Sequence, residues 1–79
     1  MERGAVWKAL GAPREQIGSV NDPRTRDEYG VRWNEAWVYP GAYPDGGDRV
    51  VLWKRYDLVG IFKVRPDGSF EPDAVLGGA

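Results

Sequence analysis

The chain has no cysteine and no histidine. Without cysteine there is no disulfide and no thiolate nucleophile. Without histidine there is no imidazole base, and a zinc site loses its usual ligands. Neither GxGxxG nor GxxxxGK[ST] occurs, so the glycines are not arranged as a phosphate loop. No apolar run approaches the roughly 18 residues of a membrane span, and the opening MERGAVWKALGAP lacks the long apolar stretch of a signal peptide. Taken as it stands, the sequence is expected to be soluble and cytoplasmic, without a membrane partner. Charge of one sign is missing too. Eleven basic side chains face 12 acidic ones for a net −1, interleaved along the chain, so there is no basic field to draw in phosphate backbones.

Catalysis would have to rest on carboxylates. Asp27, Glu28, Glu35 and Asp57 are the candidates that could meet in space, but acidic side chains more often serve as solubilising surface. Ser19, Thr25 and Ser69 sit in turn-like contexts with no nucleophile motif. The expectation is a protein with no catalytic residue, no cofactor and no metal, and therefore not an enzyme.

At 79 residues the sequence reads as one small domain spanning 1–79. A chain of that length buries only about 60 to 65% of the surface its unfolded form exposes. With disulfides and zinc removed from the usual remedies, large rings must supply buried area, and association with another chain becomes attractive. Aromatic residues make up 13% of the chain, with four tryptophans, and each ring can bury roughly 150 to 250 Å².

Residues 2–12 place Ala5, Val6, Ala9, Leu10 and Ala12 at three- and four-residue steps, with Gly11 suited to a left-handed cap and Pro13 closing the run. This predicts a short amphipathic helix with Trp7 at the edge of its apolar stripe. Three turns cannot stand alone, so the helix must lie on something. From 13 to 26 the text is polar, and Asn21-Asp22-Pro23 favours a turn. There Ile17 and Val20 pin a loop or a short edge strand to the core.

Beyond Asp27 the period becomes two: Tyr29, Val31, Trp33, Glu35, Trp37 and Tyr39 alternate with smaller or polar residues. An interruption at Asn34-Glu35-Ala36 suggests a bulge or bend, in which case Trp33 and Trp37 need not share a face. Both rings are expected in the core. Tyr43-Pro44-Asp45-Gly46-Gly47 and Arg65-Pro66-Asp67-Gly68-Ser69 share one hairpin chemistry. Between them Arg49 to Val64 is β-rich but long for one strand, with Asp57 or Gly60 as candidate breaks. Pro72 confines the short strand around Phe70 to an edge. The tail AVLGGA is expected to fray.

The fold class that follows is α+β: a short amino-terminal helix packed on a three- to four-stranded antiparallel meander. A small SH3-like or OB-like β-barrel is the alternative. Apolar residues on both parities of 49–64 imply that both sheet faces are covered, and one short helix covers only one. The sheet curls into a barrel, the loop 13–26 folds across, or another chain packs there. Exposed apolar surface marks interaction sites, and Trp, Tyr and Arg dominate interface energetics. Trp53, Arg55, Tyr56 and Arg32 are therefore the candidate contact residues of a non-catalytic protein-interaction module, its partner being a second copy or another protein. The rival reading is a small barrel binding single-stranded nucleic acid through rings and cations.

Leu10, Gly11 and Pro13 in AVWKALGAP, Trp37 and Tyr39 in WNEAWVY, and Gly68 in PDGSFEPDAV resemble the pattern of the small outer-membrane lipoproteins of the BamE (SmpA/OmlA) type and related BLIP-like domains. The resemblance spans most of the chain and implies a helix-on-sheet layout and a protein-binding role. The lipobox cysteine of those lipoproteins is missing, so it does not carry over their location.

Overall fold

The computed structural model describes residues 3–73; the tail AVLGGA, like Met1 and Glu2, lies outside the described residues. A helix α1 (Arg3–Leu10) precedes five strands: β1 (Glu15–Gly18), β2 (Glu35–Tyr39), β3 (Asp48–Lys54), β4 (Asp57–Val64) and β5 (Phe70–Pro72). They form one antiparallel sheet in the order β1-β2-β3-β4-β5, each strand beside its neighbour in sequence. The helix-on-meander layout is as the sequence predicts, and the sheet is open, which corrects the barrel alternative.

There are five strands where three or four were expected. One is β1, whose four residues are all exposed and which offers a pattern search only Ile17. The other arises because 49–64 folds back on itself at Arg55-Tyr56, with Lys54 paired to Asp57. Neither expected breaker makes this turn. Asp57 opens β4, and Gly60 sits where the register slips: Leu52 pairs with Gly60 but Trp53 with Leu58, leaving Val59 extra. Such a bulge reverses which side the following residues face. Leu58 thereby joins Trp53 and Ile61 on the helix side, although its parity matches Phe62 on the other. An added Cβ at Gly60 would lie 2.6 Å from the Phe62 ring, so the bulge needs its glycine.

The two proline-containing turns are built alike. Gly46 N donates to Tyr43 O and Gly68 N to Arg65 O, both at 2.9 Å. Asp45 and Asp67 each accept from the amide two residues on, again at 2.9 Å. Gly46 and Gly68 take φ of 89° and 90°, the left-handed position such turns require.

Both faces of the sheet are covered by the chain itself. On one side α1 lays Val6, fully buried, and Leu10 against Trp37, Val51, Trp53 and Ile61. Full burial of such a side chain contributes about 1.5 to 3 kcal/mol, which holds a helix too short to persist alone. On the other side Tyr29, Val31 and Trp33 roof Ala36, Val50, Leu52 and Phe62. This roof is the segment 26–33, closed by a two-way backbone bridge between Arg26 and Trp33. The covering is therefore neither the loop 13–26 nor a barrel. Trp33 and Trp37 do lie on opposite faces, the change falling at Asn34 just ahead of β2.

Candidate docking surface

The end of the sheet where β3 turns into β4 is held by two buried polar side chains. Asn34 is 2% exposed. Its Nδ2 donates to the carbonyls of Val20 (3.3 Å) and Asp22 (3.1 Å), and its Oδ1 accepts from Arg55 N at 2.8 Å. One amide thus ties the loop after β1 to the tip of the β3–β4 hairpin. Beside it Gly18, at φ 75°, brings its α-carbon so close that a Cβ would lie 2.2 Å from Asn34 O. No other residue fits there.

Glu35, 3% exposed, is the second. Its Oε2 accepts from Trp37 Nε1 at 2.8 Å, and its Oε1 lies 2.7 Å from Arg3 Nη2 in an ion-pair contact. The Arg3 guanidinium lies 5.0 Å from the ring centres of both Trp37 and Trp53, and its Nη1 donates to Arg55 O at 3.2 Å. A buried carboxylate is tolerable only when paired and hydrogen-bonded, and Arg3 supplies the pairing from the first turn of α1. Arg3, Val6 and Leu10 form the buried face of the helix, at steps of three and four. The spacing was visible in the sequence, but an arginine is not counted when apolar residues are tallied.

Between these anchors the hairpin tip is preset. Arg55 is the only non-glycine among the described residues with positive φ, at 56°. That places the strain at the first central position of a two-residue turn, where the type II′ pattern ordinarily takes glycine. The left-handed conformation costs an ordinary residue about 1 to 2 kcal/mol. Both polar groups of the Arg55 backbone are held, the amide by Asn34 and the carbonyl by Arg3. Its neighbour Tyr56 is 70% exposed, the most of any large apolar side chain described.

The four candidate contact residues therefore divide. Arg55 and Tyr56 stand together at the tip, both exposed, and Arg32 is exposed at the same end of the sheet, two residues before Asn34. Trp53 does not belong with them. It is fully buried under α1, 4.9 Å from the Trp37 ring and beneath Arg3, and this corrects the expectation that it meets a partner. The bare apolar sheet face that made Trp53 attractive is likewise absent among the described residues, both faces being roofed.

At the opposite end of the sheet the cations on the hairpins are all spent within the chain. Arg49 pairs with Asp73, Lys63 with Asp45 and Arg65 with Glu71, at 3.5, 2.7 and 2.7 Å. Tyr43 lies between Arg49 and Lys63, 4.9 and 5.1 Å from its ring centre, and its hydroxyl donates to Asp73. Burial pushes the Tyr43 hydroxyl above its ordinary pKa, and the bond to Asp73 adds to this. Lys63 and the Gly47 amide hold Asp45 below the usual carboxylate value. This cluster fastens β5 and the first hairpin together. No cavity opens among the described residues, and none of them form a group of three or more carboxylates that could hold a metal. No described helix is long and apolar enough to cross a membrane.

No protein-family model, curated protein or solved structure matches the chain.

Proposed function

We propose that this chain is a small non-catalytic protein-interaction module, acting in the cytoplasm, that meets its partner through the β3–β4 hairpin tip. The observation that carries the reading is Tyr56, 70% exposed on a turn whose strained residue is fixed at both its amide and its carbonyl. Strain held in place by surrounding structure is often part of a functional site. A preset loop also loses little conformational freedom on binding, which favours affinity. The resemblance to BamE-type and BLIP-like domains points the same way.

Partnering with a second copy by strand addition is the weaker form of this reading. Edge strand β1 has four residues, starting two positions after Pro13 and ending in the left-handed Gly18, and edge strand β5 has three, ending in Pro72. Short, proline-bounded edges resist strand pairing.

A photo-crosslinking side chain placed at Tyr56, with a control at exposed Pro66, tests the proposal in the cells that make the protein. A discrete protein adduct at 56 and none at 66 is expected. Equal labelling at both positions would remove the tip from consideration. Sedimentation at several concentrations separates a second copy from a different partner.

A further inference from the structure

Helix α1 is held to the sheet by side chains alone. Arg3 meets Glu35, Val6 and Leu10 pack on Trp37, Val51, Trp53 and Ile61, and the half-exposed Trp7 touches the Trp37 ring edge-on at 5.5 Å. No described backbone bond joins Arg3–Leu10 to a strand, so α1 can leave without breaking a strand pairing. Its seat is specific as well as apolar. The bond from Trp37 Nε1 orients the Glu35 carboxylate, which meets the Arg3 guanidinium at 2.7 Å above two indoles. Such a seat asks for a helix with an arginine followed at three and seven positions by aliphatics, because charge and apolar surface must be met together. Arg3, Val6 and Leu10 are that pattern, and a second copy of the chain carries it unaltered.

What distinguishes α1 in its own seat from α1 in another copy's seat is the path of Gly11-Ala12-Pro13-Arg14. Here the path turns back through Gly11 at φ 81°. Two bonds fasten it: Tyr39 Oη donates to Gly11 O and Arg14 N donates to Val38 O, each at 3.0 Å. Gly11, Ala12 and Arg14 are exposed, so straightening the path removes nothing from the core. Pro13 already restricts Ala12 to extended conformations. Short hinges of this kind invite exchange of an element between copies, and a small domain short of buried surface gains from association.

We propose that two copies of this chain exchange α1, each laying its Arg3, Val6 and Leu10 into the other's seat. The exchange extends to the hairpin tip, since Arg3 Nη1 also donates to Arg55 O at 3.2 Å. In the exchanged pair the carbonyl of each strained turn is held by Arg3 of the second copy, and the pair carries two preset tips. The exchange holds whatever the tip binds.

A short tether gives α1 an effective concentration at its own seat on the order of 1 mM. Closed single chains therefore predominate far below that concentration, and exchanged pairs form near it. The full chain, half of it isotopically labelled, is unfolded in urea, refolded at about 1 mM, separated by size and read by isotope-filtered nuclear magnetic resonance. A fraction of doubled mass is expected, with contacts from Val6 of labelled copies to Trp53 of unlabelled ones. That fraction should be at least about tenfold smaller after refolding at about 10 μM. Deleting Ala12 and Pro13 leaves too short a path to turn back and should restore the doubled mass at the lower concentration. If the shortened chain does not fold, the full chain decides alone. A single mass for the full chain at both concentrations would overturn the exchange, as would a doubled mass in which Val6 touches Trp53 only within its own copy. A protein adduct at position 56 together with either of those results ends the exchange and leaves tip docking standing.

Discussion

Arg3 and Glu35, 32 positions apart in sequence, meet at 2.7 Å beneath the amino-terminal turn of α1. The contact joins the helix to the first residue of β2 and sets a guanidinium over two indoles. Removing the arginine leaves a carboxylate at 3% exposure without its counter-charge. Truncating one member of a buried pair commonly costs about 3 to 5 kcal/mol, and the partial exposure of Arg3 reduces that to about 2 to 3 kcal/mol. Arg3→Leu is expected to lose that much in urea unfolding. Glu35→Gln should cost less, about 1 kcal/mol, because an amide oxygen still accepts from Trp37. If Arg3→Leu leaves the unfolding midpoint unchanged, the pairing is not what holds α1 down.

Asn34 is the corresponding tie on the loop side. Asn34→Ala strands the Arg55 amide and two carbonyls and should lower stability by about 2 to 3 kcal/mol. It should also broaden the amide signals of both 19–22 and 54–57, since one side chain holds both segments. Loss of order in only one of them would show that the link is not shared.

Two glycines with similar backbone angles should respond differently to alanine. Gly18 and Gly68 have φ of 75° and 90°, but a Cβ at Gly18 meets the Asn34 carbonyl at 2.2 Å while one at Gly68 meets nothing within 4 Å. Gly68→Ala should cost about 1 kcal/mol, the left-handed penalty alone. Gly18→Ala must in addition push the backbone ahead of β2 aside, and is expected to cost more than about 3 kcal/mol or to prevent folding. Thermal unfolding of the pair measures the difference.

Arg55→Gly separates strain from recognition. Glycine takes φ 56° freely, so stability should stay level or rise by up to about 1 kcal/mol, while the tip loses a cation. A clear loss of stability would mean that the arginine side chain, not the backbone angle, matters to the fold.

The layout of the fold was legible because it follows from local rules. The two Pro-Asp-Gly turns, the capped helix and the edge proline each act within a few residues. Harder to read were features that depend on distant partners. The turn at Arg55-Tyr56 carries no glycine, proline or asparagine, since Asn34 and Arg3 hold it from 21 and 52 positions away. Arg3 looks like surface until Glu35 is known to be buried. Trp53 reads as a contact residue because its strand is apolar on both parities, and nothing local reveals that its own parity is the one α1 covers or that segment 26–33 roofs the other face. Of the candidate surface, Arg32, Arg55 and Tyr56 were all within reach of the sequence.

Stability should fall away at both ends of the pH scale. Arg24 holds Asp22, Lys63 holds Asp45 and Ser69 holds Asp67 below the usual 3.8. Carboxylates lowered in the folded state contribute stability that is present above 3.8 and lost as the pH drops through their folded values. Burial raises Tyr29, Tyr39 and Tyr43 above the usual 10.0. The neutral phenol is favoured in the folded state, so that stability holds below 10.0 and is lost above it. Between the two limits, with no histidine to titrate, urea midpoints should be nearly flat from about pH 5 to about pH 9.

Every strand of this sheet is bonded to the one made just before it. A nascent chain leaving the ribosome would therefore meet each new partner already in place, and no strand has to wait for a distant one or be threaded between two others. Contacts of short loop length favour rapid folding. The exception is the opening helix, whose seat on Trp53 is not synthesised until about two thirds of the polypeptide has emerged. α1 is then the last piece that could settle, and the segment most open to chaperones or to swapping between copies while it waits.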